Sequence, residues 1–261
     1  MRELRVATFG ELHERLFDEC WDPSLRRFRS RFAFRGVGAS KRDDTLVSAL
    51  ERLGPRQPEL EGPMLRTFRK YARNMATVDD SVWSWLAVAQ HHGFPTRQLD
   101  WTFSPYVALH FMTAELRDYE EDGVVWAVDY VRAKELLPAP LARVLDEEAA
   151  NVFTTDMLER AASSLRAFDA LGDDFVAFLE PPALDERIVN QHALFSVAPR
   201  GLRYEAWLRQ HPHLARRIVV PAALKWEVRD KLDQANVTER VLFPGLDGLS
   251  RWLGRYYMPR P

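Results

Sequence analysis

An α+β fold is what this chain predicts: a single domain, residues 1–261, with small mixed or antiparallel sheets flanked by helices. Three observations lead there. Helical and strand-like periods are interspersed without the regular β-α-β alternation of a doubly wound sheet. The 261 residues are 46% hydrophobic, 28% charged and 11% aromatic, an ordinary globular balance with enough chain for a sizeable core. No convincing linker divides them.

Charge and cysteine content narrow the partners. Formal net charge is -2, from 36 basic and 38 acidic residues, so no global field advertises nucleic acid or an anionic membrane, although a local basic patch stays open. The one cysteine, Cys20, allows no intramolecular disulfide; it reads as a small apolar residue on a helix face, and a cytoplasmic setting is expected. The stretch MRELRVATFGELHERLF lacks the unbroken apolar core of a secretory signal. No apolar run approaches the roughly 20 residues of a membrane span.

Taken in order, Thr8 and Glu11 fit a capping box, and Leu12, Leu16, Phe17 and Cys20 form one stripe of the helix behind it. Residues 21–30 break it. Phe32-Ala33-Phe34 reads as a strand ending in the turn Arg35-Gly36-Val37-Gly38. Asp43 or Asp44 is placed to cap a helix bearing Leu46, Val47, Leu50 and Leu53, stopped by Gly54-Pro55. A further helix runs from Pro63 to Asn74, with Leu65, Phe68 and Tyr71 or Ala72 inward and Arg66, Arg69, Lys70 and Arg73 outward. That basic face suits either solvent or phosphate. Asp79, Asp80 or Ser81 caps a helix carrying Val82, Trp85, Leu86 and Ala89, which ends at Gly93.

Ser104 followed by Pro105 marks another helix start, and residues 123–130 (GVVWAVDY) a central strand. Short helices fill 131–172. Strands are expected at 174–179, 193–197 and 217–220, and helices at 184–191, 221–234 and 246–256.

Chemistry concentrates between Gln90 and His110. Two adjacent histidines, an arginine, an aspartate, a tryptophan and several hydroxyls fall within this stretch, more than packing asks for. Successive helical positions point about 100° apart, so His91 and His92 do not serve one site equally, and no Cys/His spacing supports a metal. In extended form Thr96, Gln98, Asp100 and Thr102 share one face, while Arg97, Leu99 and Trp101 share the other. Asp100 is placed to hold Arg35 or Arg97 as an ion pair. Trp101 is either core or a stacking surface for a ligand ring. No G-x-S-x-G elbow is present, which argues against a serine hydrolase.

Several motifs together resemble the FRG-domain family. They are Phe34-Arg35-Gly36, the block AQHHGFPTRQLDWTFSPYVAL from Ala89 to Leu109, the pattern Arg187-Ile188-Val189-Asn190-Gln191-His192-Ala193-Leu194-Phe195, and FPGLDGL at 243–249. They span about 30–250. Val37 stands where a polar residue is more usual, and Ala193 where glycine is common.

The order of these motifs is in turn similar to that of ADP-ribosyltransferases, which implies a set of roles. Arg35 and Gly36 would hold a diphosphate, the guanidinium bidentately and the glycine by letting the backbone approach. His91, Thr96, Arg97, Asp100, Trp101 and Ser104 would complete the ligand pocket. Thr102 and Gln191 would act on the nicotinamide ribose, with Glu186 as the nearby carboxylate. Cleaving an N-glycosidic bond builds positive charge on the sugar, which a carboxylate stabilises better than an amide. For the hydroxyls of Thr102 and Ser104 and for the Gln191 amide, capping of helix ends is the structural alternative.

The leading expectation is therefore an NAD-dependent, ADP-ribosyltransferase-like domain, with NAD as substrate, no metal, no membrane partner and an unknown protein or nucleic-acid acceptor. A non-catalytic nucleotide- or nucleic-acid-binding module is the alternative. A structural or interaction domain of a defence or toxin system is the third.

Overall fold

The computed structural model describes residues 1–40, 45–76 and 78–259. Its strands are β1 (Arg2–Arg5), β2 (Trp21–Asp22), β3 (Arg27–Phe28), β4 (Phe32–Val37), β5 (Leu99–Thr102), β6 (Gly123–Asp129), β7 (Ala177–Leu179), β8 (Ala193–Val197) and β9 (Ala215–Val220). Helices α1 (Phe9–Phe17), α2 (Gln57–Ala72), α3 (Val82–His91) and α4 (Pro105–Met112) occupy the first half. The second half carries α5 (Tyr130–Ala133), α6 (Ala139–Glu147), α7 (Thr155–Ala161), α8 (Leu165–Asp169), α9 (Glu186–Asn190), α10 (Tyr204–Gln210), α11 (Lys225–Gln234), α12 (Glu239–Leu242) and α13 (Leu246–Tyr256). The expected α+β class is what is found.

One seven-stranded mixed sheet, in the order β1-β9-β6-β4-β5-β8-β7, organises the molecule; β2 and β3 form a separate two-stranded hairpin. All pairings in the large sheet are antiparallel except β1 on β9. The apolar run at 123–129 is the central strand its composition called for, buried at every position. Alternate residues feed opposite faces. Phe32, Phe34, Val125, Ala127 and Ile218 meet α1, α4 and α11 on one side, whereas Ala33, Val124, Trp126 and Val128 pack toward Trp207 and Leu208 of α10 on the other.

Helix ends follow the local chemistry. Thr8 caps α1, Ser81 caps α3 and Ser104 caps α4, each accepting a main-chain N–H of the first turn. Gly93 takes φ +74° just past α3, the left-handed position glycine tolerates.

Some expectations are corrected. Asp43 and Asp44 lie outside the described residues. Behind them, Leu46 to Leu53 is not an α-helix but turns ending in a 3₁₀ turn at Glu51–Leu53. Pro63 sits inside α2 rather than at its start, and of the two inward candidates Ala72 packs against the core while Tyr71 points out. Residues 21–30 form the β2–β3 hairpin. The edge strand β1, with its polar sequence Arg-Glu-Leu-Arg, carries no apolar alternation and was not expected.

Candidate functional site

The site follows from a split in the sheet. β4 pairs with β6 along its full length, yet it meets β5 at a single registered pair, Phe34 with Thr102. Beyond that pair the two strands diverge. Arg35 bridges the divergence: its Nη1 donates to the main-chain carbonyl of Asp100 at 2.7 Å, and its Nε to that of Thr45 at 3.1 Å. The side chain thus takes over part of the work of the missing ladder bonds.

A cleft of about 740 Å³ opens at this split, within the range of small-molecule sites. Its walls come from the end of β4, the α3–β5 turn, β5, the end of α4, α9 and β8. Arg35, Asp100, Thr102, Arg187 and Gln191, from well-separated parts of the chain, all line it, and the half-buried Phe94 and Phe111 supply aromatic surface.

The acidic wall is positioned by a relay. The buried Thr96 hydroxyl donates to Gln90 Oε1, and Gln90 Nε2 donates to Asp100 Oδ1 at 2.8 Å. Asp100 therefore shows its carboxylate to the cleft while its main chain holds Arg35. The expected ion pair between Asp100 and an arginine is replaced by this arrangement.

His91 lines the cleft with its side chain only 7% exposed and its Nε2 2.7 Å from Asp185 Oδ2. A carboxylate only accepts, which puts the proton on Nε2. The other Asp185 oxygen caps α9 by accepting from the Ile188 N–H at 3.1 Å. Burial alone would raise the Asp185 carboxyl, but the His91 bond and the helix N–H groups hold it below its ordinary value.

Arg187, in the first turn of α9, is the cation that sequence reasoning passed over. Its Nη1 donates to the His91 carbonyl at 3.4 Å, its guanidinium lies 5.1 Å from the centre of the Phe243 ring, and its buried Nε has no hydrogen-bond partner among the described residues. It opens the same R-I-x-x-Q pattern that ends in Gln191, so its signal lies in the sequence.

The other expected site residues have different duties. Gly36 lines the cleft, but a Cβ there would stand 1.7 Å from the Ala108 carbonyl oxygen, so its bareness serves the packing of α4 on β4 rather than a phosphate. Arg97 points the other way and is buried, its Nε 2.6 Å from Glu61 Oε1 and its Nη1 2.5 Å from Asp169 Oδ1. Trp101 reaches the cleft floor, but its Nε1 donates to Ser196 Oγ at 2.8 Å and its ring packs on Phe178, which makes it core. Ser104 caps α4 and Thr96 supports Gln90; neither lines the cleft. Glu186 is exposed on the first turn of α9, also off the cleft. Gln191 does line it, yet its Nε2 is committed to the Leu242 carbonyl at 2.8 Å. Among the described residues no cluster of three His, Cys, Asp or Glu is arranged for a metal ion, and no helix is long and apolar enough to cross a membrane.

Fold and cleft together define an α+β protein with an arginine-bearing cavity of mixed polar and apolar lining at a sheet split. Residues 30–121 match the family model described as the FRG domain. The match covers the Phe34-Arg35-Gly36 tripeptide and the block at 89–109, which bears out the resemblance those motifs carried. No curated protein and no solved structure matches the chain.

Proposed function

We propose that the cleft binds a nucleotide diphosphate of the NAD class and that the domain is an ADP-ribosyltransferase-like module. One observation carries the reading: Arg35, Arg187, Asp100, Thr102 and Gln191 converge on one cavity with aromatic walls. Arg187 is the principal phosphate anchor, because its guanidinium lines the cleft and makes no ion pair among the described residues. Arg35 frames the site while holding the sheet split. The phenylalanine walls suit the flat faces of adenine and nicotinamide. Asp100 replaces Glu186 as the carboxylate that faces positive charge developing on the ribose. His91, oriented by Asp185, is the base for an incoming acceptor nucleophile.

A second reading, binding without turnover, is favoured by the Gln191 amide nitrogen being spent on Leu242. Titration calorimetry with NAD and incubation with labelled NAD plus cell extract separate the two. Binding with label transfer supports the transferase reading. Binding that is lost in Arg187→Ala, without transfer or nicotinamide release, supports the module. No NAD binding at millimolar ligand sinks both.

A further inference from the structure

Helix α2 carries a second, separate surface. Met64, Phe68, Tyr71, Ala72 and Met75 line an apolar groove of about 510 Å³ that is closed on its far side by Phe94. Met64, Phe68, Tyr71 and Ala72 follow helical spacing along one stripe of α2, and Met75 continues it in the turn just past the helix end. Phe68 rests on Phe94 with ring centres 5.0 Å apart, which gives the groove a firm floor. Its rim is open: Tyr71 is 72% exposed and Met75 88%. Exposed methionine and tyrosine at helical spacing are costly to leave in water and adaptable as a binding surface.

Beside this stripe runs a basic one. Arg66, Arg69, Lys70 and Arg73 line a neighbouring depression together with Asp80 and Trp85. Arg69 pairs with Asp80 at 2.6 Å; Arg66, Lys70 and Arg73 make no ion pair among the described residues. An apolar groove flanked on one side by unneutralised cations describes its complement: a helix with an apolar stripe and carboxylates along one edge.

We propose that α2 is the docking site for an acidic amphipathic helix of a partner protein. A second copy of this chain fits poorly. Its own apolar-exposed helix, α13, offers Leu246, Leu253 and Tyr256 but carries a single exposed carboxylate, Asp247, offset by Arg251 one turn on, against the three unpaired cations of the α2 stripe. A polynucleotide would use the cations and leave the methionine groove empty. The groove shares Phe94 with the large cleft, so a docked partner lies against the cleft wall, where an acceptor or regulator would sit. The site itself does not depend on what the cleft binds.

The test is fluorescence anisotropy of the intact protein with a labelled peptide of about 18 residues, helical, with leucines on one face and glutamates along one edge. Its lysine-edged twin and a single-stranded oligonucleotide serve as comparisons. The expected result is binding of the acidic peptide alone, weakened about tenfold both by Met75→Glu and by Arg66→Glu with Arg73→Glu. These residues are exposed, so the variants should keep the wild-type circular dichroism. No binding, equal binding of the lysine-edged twin, or indifference to Met75→Glu overturns the proposal. So does oligonucleotide binding that displaces the peptide, or self-association in sedimentation that Met75→Glu abolishes.

Discussion

The Thr102 hydroxyl donates to the main-chain carbonyl of Gln191 at 2.7 Å and accepts the Ser104 N–H at 3.0 Å. One buried oxygen thereby ties β5 to the end of α9 and to the start of α4. Thr102→Val would leave both main-chain groups without a partner at nearly unchanged volume. The expected cost is about 1–3 kcal/mol in denaturant unfolding, with a loss of ligand affinity because Arg187 and Gln191 shift with α9. Thr102→Ser restores the hydroxyl and should recover most of both; failure of the serine variant to do so would show the bonds are incidental.

Arg97 and Arg187 should separate stability from binding. Arg97 is held between Glu61 and Asp169, and removing one member of a buried ion cluster leaves its partners uncompensated. Arg97→Met is expected to destabilise by about 3–5 kcal/mol while the folded fraction binds nucleotide normally. Arg187→Met should do the reverse, keeping the melting temperature within a few degrees and losing binding. Equal loss of affinity in the two variants would contradict this division.

Gly36 tests the reason for the glycine in the Phe-Arg-Gly tripeptide. A methyl group there meets the Ala108 carbonyl oxygen at 1.7 Å and the Met112 nitrogen at 2.8 Å, both main-chain atoms of α4 that cannot step aside. Gly36→Ala should therefore cost about 3 kcal/mol or more, at or above the upper end of overpacking, or give insoluble protein. A stable Gly36→Ala variant that merely lost ligand would restore the phosphate role.

These variants also mark how far sequence carried. Caps and periods are local, so Ser104, Gly93 and the 123–129 strand could be placed from neighbours alone. Strand alternation put Asp100 and Thr102 on one face, and both line the cleft, whereas Trp101 on the opposite face reaches the cleft floor but packs as core. Arg97 defeated the reading because its partners, Glu61 and Asp169, are brought in by the fold and have no local signature. The same holds for Arg187, whose place beside His91 depends on the Asp185 cap that orients α9. Leu46 to Leu53 kept a helical period without becoming an α-helix. The segment ties itself down through Leu50 N–H to the Thr96 carbonyl and through Ser48 with Glu51 instead.

His110 gives the fold a pH dependence of definite sign. The ring is 1% exposed inside the sheet-covering layer, with Arg229 donating to its Nδ1 at 3.0 Å. Burial first, and then the positive charge of Arg229, push its pKa down from 6.5 to about 3, against a smaller opposing pull from Glu239. The unfolded chain therefore takes up a proton below pH 6.5 that the folded chain refuses. Stability is complete above that pH and falls by about 1.4 kcal/mol per unit as pH drops toward 3. Glu239, drawn down from 4.5 to about 2 by Arg255 against the opposing effect of its own burial, adds a loss of the same sign only below pH 4.5. Between pH 6.5 and 5 the Glu239 loss has not begun, and comparison with a non-titrating variant assigns the histidine's share. Urea unfolding across this window should lose about 2 kcal/mol in the wild type. In His110→Gln, which keeps an acceptor for Arg229 but does not titrate, that increment should vanish. Parallel curves for the two proteins would mean that His110 is protonated inside the fold.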